Sequence, residues 1–72
     1  MIKAISIQNH IFWVNNIDRV YRIDDKVWHY IHVYFLNGEY LKFDYRKQAD
    51  RDKEYYRILN AMNGVMWGAI DD

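Results

Sequence analysis

Histidines are the residues of this sequence whose spacing comes nearest to a site for chemistry. His29 and His32 lie three positions apart, a separation that brings two metal ligands together on a helix, while His10 lies far from both. The residues around His29 are typical of a strand, where successive side chains alternate between the two faces. We therefore expect His29 and His32 to point to opposite sides, and we predict no metal site. An interface that responds to pH through His32 stays open, since histidine titrates near neutrality.

Nucleophilic and cofactor chemistry find little support in the residue inventory. The chain has no Cys and no Thr, and its one serine, Ser6, lies in an alternating apolar segment rather than on a strained turn. The three glycines form no phosphate-binding loop. Acidic pairs at 24–25 and 71–72 fall in a turn and at the end of the sequence, so they share no cleft. We therefore predict a protein that is not an enzyme and that uses no cofactor.

Length, composition and charge indicate one small folded domain. The chain has 72 residues, 51% of them hydrophobic and 18% aromatic, and it contains no proline. We predict a single domain over residues 1–72, and a domain of this size buries only about 60% of the surface that its unfolded chain exposes. Ten Lys and Arg residues balance ten Asp and Glu residues. That balance disfavours nucleic acid as a partner, because phosphate neutralisation supplies most non-specific affinity.

The sequence shows no sign of a membrane or secretory segment. No uninterrupted apolar run approaches the roughly 20 residues of a membrane helix. No long apolar segment follows Met1, so we expect no secretory signal. We therefore predict a protein of the cytoplasm that does not associate with membranes.

The apolar pattern predicts strands first and a helix last. Alternating or β-branched segments over residues 2–7, 11–14, 17–23, 27–36 and 39–45 are typical of strands. A helix follows at about 47–63, ended by Gly64 as its C-cap. We predict an α+β fold, an antiparallel β-meander of four to five strands within residues 1–45 that is packed on one face by a single C-terminal helix. An apolar tail over 65–70 either closes the edge of the core or reaches a neighbouring subunit.

The predicted helix has one apolar stripe. The residues that recur at steps of three and four are Tyr55, Ile58, Leu59, Met62 and Met66. The charged residues that fall mostly on its other faces are Asp50, Arg51, Lys53, Glu54 and Arg57. The stripe is expected to pack on the apolar face of the sheet.

Two turns set the register of the predicted sheet. A three-residue loop at Leu36-Asn37-Gly38 places Val33 opposite Leu41 and makes one face consistently apolar, whereas a two-residue loop pairs apolar with charged side chains. We therefore favour the three-residue loop. A similar three-residue loop over 24–26 would place Arg22 opposite Trp28 and Val20 opposite Tyr30. The core face then consists of Tyr21, Ile23, Val27, His29, Ile31, Val33, Phe35, Leu41 and Phe43.

The other face of the sheet is the predicted binding surface, because the single helix leaves it uncovered. Its candidate partner-binding residues are Arg22, Trp28, Tyr30, His32, Tyr34, Tyr40 and Lys42, with Asp44 beside them. Monomeric proteins rarely expose large apolar patches, and interfaces favour Tyr, Trp and Arg. We predict a protein–protein interaction module that binds another protein, most simply a second copy in a two-fold homodimer. The alternative partner is single-stranded nucleic acid stacked on the same rings, and the plainer alternative is a solvated face of paired aromatics.

Three segments carry a resemblance to known proteins. They are Asn15-Asn16-Ile17, the Leu36-Asn37-Gly38 hairpin and the helix from Tyr45 to Met62. With them the chain resembles small bacterial and prophage-type proteins of uncharacterised function, built as a short β-meander followed by one helix. The resemblance implies a small accessory or inhibitor protein of phage or mobile-element type, and it implies no functional residue.

Overall fold

The computed structural model describes residues 3–66, which form five antiparallel strands followed by one helix. The strands are β1 (Ala4–Ile7), β2 (His10–Trp13), β3 (Ile17–Asp24), β4 (His29–Phe35) and β5 (Tyr40–Tyr45), and the helix is α1 (Gln48–Met66). A short 3-10 turn, Val14–Asn16, joins β2 to β3. The predicted α+β class is confirmed. The strands are divided between two sheets, a β1–β2 hairpin and a three-stranded sheet in the order β3-β4-β5.

The helix is longer than its sequence pattern predicted. Gly64 lies inside α1, which continues to Met66, so the prediction of a C-cap at Gly64 is wrong. A glycine inside a helix costs about 1 kcal/mol relative to alanine but does not end it. The part of the predicted apolar tail from residue 67 to 70 lies outside the described residues. Within residues 3–66, no helix has both the length and the apolarity that crossing a membrane requires.

The first hairpin closes through an unusual pair of backbone conformations. Gln8 and Asn9 both have positive φ, 48° and 70°, and Ile7 pairs with His10 across them. Positive φ at both central residues is characteristic of a type I′ turn, whose twist matches that of the flanking strands. The turn therefore has two residues, and His10 begins β2, one residue before the start predicted for that strand.

The β4–β5 hairpin has the predicted register. Val33 lies opposite Leu41 and Ile31 lies opposite Phe43. The backbone N–H of Phe35 donates to the Glu39 carbonyl at 2.8 Å, which closes the three-residue loop. Gly38 has a φ of +92°, where a residue with a Cβ is strained. The loop prediction is therefore confirmed.

The predicted register between β3 and β4 is wrong. Asp24 lies opposite His29 and Arg22 lies opposite Ile31, because the chain turns through Lys26 and Val27 rather than over 24–26. The Asp25 carboxylate holds this tighter turn. Its Oδ1 accepts hydrogen bonds from the backbone N–H groups of Val27 at 2.9 Å and Trp28 at 2.8 Å.

The corrected register exchanges the two faces of β3. Tyr21 lies opposite His32 and Ile23 lies opposite Tyr30, so both point away from the helix rather than into the core. Arg22 points toward α1, where its guanidinium lies 4.6 Å from the ring centre of Tyr55. The exposed Val27 belongs to the turn and is also not a core residue, contrary to its prediction.

The hydrophobic core lies between the three-stranded sheet and a second layer. Its buried residues are Ile5, Ile7, Val14, Ile17, Ile31, Val33, Phe43, Ile58 and Ala61. The helix does not form this second layer alone, because the β1–β2 hairpin packs beside it and places Phe12 with its ring centre 5.4 Å from that of Phe35. Gln8 Nε2 donates to the Asp44 carbonyl of β5 at 2.9 Å. Arg57 Nη2 donates to the Ser6 carbonyl of β1 at 2.6 Å.

A buried arginine joins the helix to the end of the sheet. Arg51 is 1% exposed, although its sequence pattern placed it among the charged residues of the outer faces. Its Nη1 contacts the carbonyl oxygens of Ile23 at 3.3 Å and Tyr30 at 3.2 Å, and the Asp24 carboxylate at 3.0 Å. Its Nε donates to Asp52 at 2.8 Å. These contacts give the buried guanidinium its hydrogen-bond partners, and they tie the first turns of α1 to the end of the β3–β4 ladder.

Candidate functional site

The face of the three-stranded sheet opposite α1 is the candidate site, and we call it the aromatic face. Cross-strand pairing gives its members as Arg19, Tyr21, Ile23, Tyr30, His32, Tyr34, Tyr40, Lys42 and Asp44. Within residues 3–66, both the helix and the first hairpin pack on the other side of this sheet. Tyr40, Tyr21 and Ile23 are 54%, 46% and 40% exposed. The surface is therefore broad, open and rich in rings.

The rings of the aromatic face are packed against one another. Tyr34 and Tyr40 are stacked with ring centres 5.2 Å apart and an interplanar angle of 19°. Tyr21 meets Tyr34 edge to face at 5.7 Å. His32 lies 5.9 Å from Tyr40 and 6.3 Å from Tyr30. Aromatic contacts of this kind contribute about 0.5–1.5 kcal/mol each beyond area burial, so the rings are held in place.

Cations cover several of these rings. The Arg19 guanidinium lies 4.8 Å from the ring centre of Tyr34, and Lys42 Nζ lies 4.8 Å from that of Tyr30. Arg19 also forms an ion pair with Asp18 at 2.6 Å. The charges on this face are therefore mixed in sign and partly paired.

A hydrogen bond fixes Tyr30 at one end of the face. Its hydroxyl donates to Asp25 Oδ2 at 2.7 Å. The backbone N–H of Trp28, the Tyr30 hydroxyl and the backbone N–H of Val27 together hold the pKa of Asp25 below its usual value, because they bind its charged form. The bond to Asp25 raises the pKa of Tyr30. The turn that sets the register thus also positions a ring of the candidate site.

Five of the seven predicted site residues lie together on the aromatic face. They are Tyr30, His32, Tyr34, Tyr40 and Lys42. Trp28 lies in the turn before β4, half-buried, with the Arg46 guanidinium 5.1 Å from its ring centre. Arg22 lies on the opposite face and contacts Tyr55 and Asp52. Its assignment to the aromatic face is wrong, because the β3–β4 turn has two residues rather than three.

Three residues of the aromatic face were missed by the sequence analysis. Tyr21 and Ile23 were assigned to the core, and Arg19 was assigned no role. The signal that identifies them is Asp25, since an aspartate preceding a short polar segment often closes a turn with its own side chain. Such a turn starting at Asp25 reverses the two faces of β3.

The two histidines of β4 do not share a face of the sheet. His29 and His32 lie on opposite faces of β4, as predicted. His29 Nδ1 lies 2.7 Å from Asp24 Oδ1, which already pairs with Arg51. Within residues 3–66, no three His, Cys, Asp or Glu side chains come together in a metal-binding group.

A second apolar area lies at the end of the first hairpin. Ile11 and Trp13 are exposed on β2, and a groove of about 440 Å³ opens between Phe12 and the β4–β5 loop. Leu36 and Leu41 line it, and Glu39 is its one titratable carboxylate. The groove offers apolar contact area, and its titratable groups are Glu39 and Tyr40, which also belongs to the aromatic face.

Comparison of this chain with protein-family models, with curated proteins and with solved structures gave no match.

Proposed function

We propose that this protein is a non-enzymatic protein–protein interaction module that docks a second copy of itself on the aromatic face. The observation that carries the proposal is the side of the β3-β4-β5 sheet that no other part of residues 3–66 covers, where Tyr21, Ile23 and Tyr40 are exposed. Clustered tyrosines are typical of interface cores. A domain of this size buries a small share of its surface, so covering these rings by docking would add apolar burial that the small core lacks.

The packing of the rings favours a protein partner. Binding immobilises side chains, which costs about 0.5–1.5 kcal/mol for each rotamer-rich group. Tyr34 and Tyr40 already stack on each other, and Tyr30 is already bound to Asp25, so much of this cost is met before docking. The mixed charges of Arg19, Lys42 and Asp44 let two identical faces approach without strong repulsion.

The size of the face places the proposed homodimer among small, weak interfaces. Three strands spaced about 4.8 Å apart and about 20 Å long give roughly 300 Å² of sheet per copy, or roughly 600 Å² for two copies. Stable interfaces bury about 1,200–2,000 Å². Protruding rings add area to the flat sheet, but the homodimer is expected to be weak, with a micromolar dissociation constant.

Sedimentation equilibrium from low to high micromolar protein tests this proposal. Tyr40→Ser removes a 54% exposed ring from the aromatic face, and Tyr56→Ser removes a 50% exposed ring from the helix. We expect Tyr40→Ser to weaken self-association about tenfold or more and Tyr56→Ser to leave it unchanged. A monomer at every concentration, or equal effects of the two substitutions, contradicts the proposal.

Single-stranded nucleic acid is a second candidate for the same face. The observation in its favour is that Arg19 and Lys42 lie beside Tyr34 and Tyr30, where they could contact phosphates next to stacked bases. Against it, Tyr34 already has Tyr40 on its ring, and the net charge is zero. Fluorescent oligonucleotides at two salt concentrations separate the candidates, because phosphate contacts make binding salt-sensitive.

The biological role and the cellular location of this protein are also proposals. We propose a small accessory or inhibitor protein of phage or mobile-element type that works in the cytoplasm. The resemblance of its strand–helix order to small prophage-type proteins supports the first part. The absence of cysteine agrees with the second. Phage or defence genes beside its gene would support the proposal, and a housekeeping operon would contradict it.

A further inference from the structure

We propose that His32 makes self-association on the aromatic face depend on pH, so that two copies dock while its imidazole is neutral and separate when it is protonated. The inference rests on the proposed function, since it concerns the same face.

His32 lies at the centre of the aromatic face. It belongs to β4, the middle strand, and has Tyr21 of β3 on one side and Lys42 of β5 on the other as its cross-strand partners. Tyr30 and Tyr34 flank it along β4, with ring centres 6.3 Å and 6.5 Å away. A two-fold axis through the middle of such a patch brings the same residue of both copies together. Docking therefore places two imidazoles near each other and away from water.

The charges around His32 disfavour an imidazolium in that position. Lys42 lies directly opposite on β5, and Arg19 lies over the neighbouring ring of Tyr34. Asp44 is the acidic group of the face on the same strand as Lys42. The other titratable groups that face His32 are phenols, and they come from all three strands: Tyr21 of β3, Tyr30 and Tyr34 of β4, and Tyr40 of β5. Arg19 is paired with Asp18, so Lys42 is the nearest positive charge without such a close ion pair, and protonation of both copies would add two more positive charges beside the two Lys42 side chains.

The direction of the pH dependence follows from linkage. Burial and then Lys42 hold the pKa of His32 below its usual value, while Asp44 opposes them. Docking buries the ring further and lowers this pKa again, because burial disfavours the charged form. Association is then complete above the pKa of the free protein and is lost as pH falls through the lower pKa of the docked form. Each histidine weakens association by up to about tenfold per pH unit in that range, so two copies weaken it by up to about a hundredfold.

Sedimentation equilibrium at about pH 7.5 and about pH 5.5 tests the inference over the range in which histidine titrates. We expect the dissociation constant of the unaltered protein to rise about tenfold or more at the lower pH. His32→Gln keeps a polar side chain of similar size that does not titrate, and it is expected to remove the pH dependence. His10→Gln is the matched control, because His10 lies on the first hairpin beside Phe43 and not on the aromatic face.

A second measurement covers the case in which His32→Gln does not fold. The pKa of the His32 ring, followed by NMR in the unaltered protein, is expected to be lower at high than at low protein concentration. A homodimer with the same dissociation constant at both pH values overturns the inference and leaves the proposed function standing. Retention of the pH dependence in folded His32→Gln, or a pKa that does not change with concentration, also overturns it. A monomer at both pH values overturns both proposals.

Discussion

Replacement of Arg51 by alanine is expected to destabilise the fold more than any other change of a charged residue in α1. Its guanidinium is 1% exposed and contacts four groups, the carbonyl oxygens of Ile23 and Tyr30 and the carboxylates of Asp24 and Asp52. Removing one partner of a buried ion pair costs about 3–5 kcal/mol. Asp24 is half exposed and can regain water, so we expect a loss near the lower end, about 3 kcal/mol.

Urea denaturation followed by circular dichroism measures this loss. A domain of this size has a total stability of about 4–11 kcal/mol. Its urea slope is about 1 kcal/mol per molar, so the midpoint is expected to fall by about 3 M. Arg51→Lys retains the positive charge but loses the planar fork, and it should lie between the parent and alanine. Lys53→Ala, at an exposed position two residues away, is the control and should change stability by less than about 0.5 kcal/mol.

One result would refute this reasoning about Arg51. If Arg51→Ala and Lys53→Ala lower the midpoint equally, Arg51 is not a structural link between helix and sheet. Arg51→Met tests whether the charge itself is needed, because an apolar side chain removes the guanidinium from Asp24 and Asp52 and leaves them only His29 and Arg22 as partners. It is expected to cost less than alanine, since it fills the volume that alanine leaves empty.

Three further predictions concern single positions. Gly38→Ala should cost about 1 kcal/mol or more in a urea titration, because φ there is +92° although the Cβ meets no atom within 4 Å; an unchanged midpoint would contradict this. The folded state lowers the pKa of Asp25, so its carboxylate stabilises the fold at pH values above the pKa of the unfolded chain, and this stabilisation is lost as pH falls through the pKa of the folded state. Asp25→Ala should therefore lower the free energy of unfolding at neutral pH and reduce the further loss of stability in acid. Burial raises the pKa of Tyr45 to about 12, so one tyrosine in an absorbance titration should ionise after the others, and Tyr45→Phe should abolish that late step.

The surroundings of the Tyr45 hydroxyl predict how Tyr45→Phe changes the stability of the fold. It is buried, and no residue of 3–66 hydrogen-bonds to it, since the nearby Gln8 amide donates to the Asp44 carbonyl instead. The neutral phenol is favoured in the folded state, so its contribution is present below its unfolded pKa and lost as pH rises toward 12. Tyr45→Phe is therefore expected to leave stability at pH 7 unchanged or raised, because it removes an unpaired buried polar atom.

Local patterns predicted most of the fold. The β4–β5 register followed from Asn37-Gly38, because a glycine with positive φ and a consistent apolar face leave one good pairing. The helix followed from the steps of three and four that place Ile58 and Met62 on the core. Both features depend on residues close together in sequence.

The faces of β3 could not be obtained from apolar alternation alone. Tyr21 and Ile23 have the residue types of a core, while Arg22 and Asp24 have those of a surface. The structure reverses them, because the helix supplies partners for the polar pair, with Asp52 contacting Arg22 and Arg51 contacting Asp24. Such long-range compensation leaves no trace in the apolar alternation of β3, so the turn at Asp25 is the one local signal for the reversed faces. The consequence for the site is that its β4 and β5 members were predicted and its β3 members were not.

The left-handed tip of the first hairpin has a consequence for how copies of this protein could assemble. Gln8 occupies the outer carbonyl of Asp44 and so obstructs β5 as a template for further strands. At the opposite border, the irregularity between Ile17 and Arg19 interrupts β3. Because each edge of this sheet is interrupted at one point, contact between two aromatic faces about a two-fold axis would give a closed pair rather than a fibre that grows by strand addition.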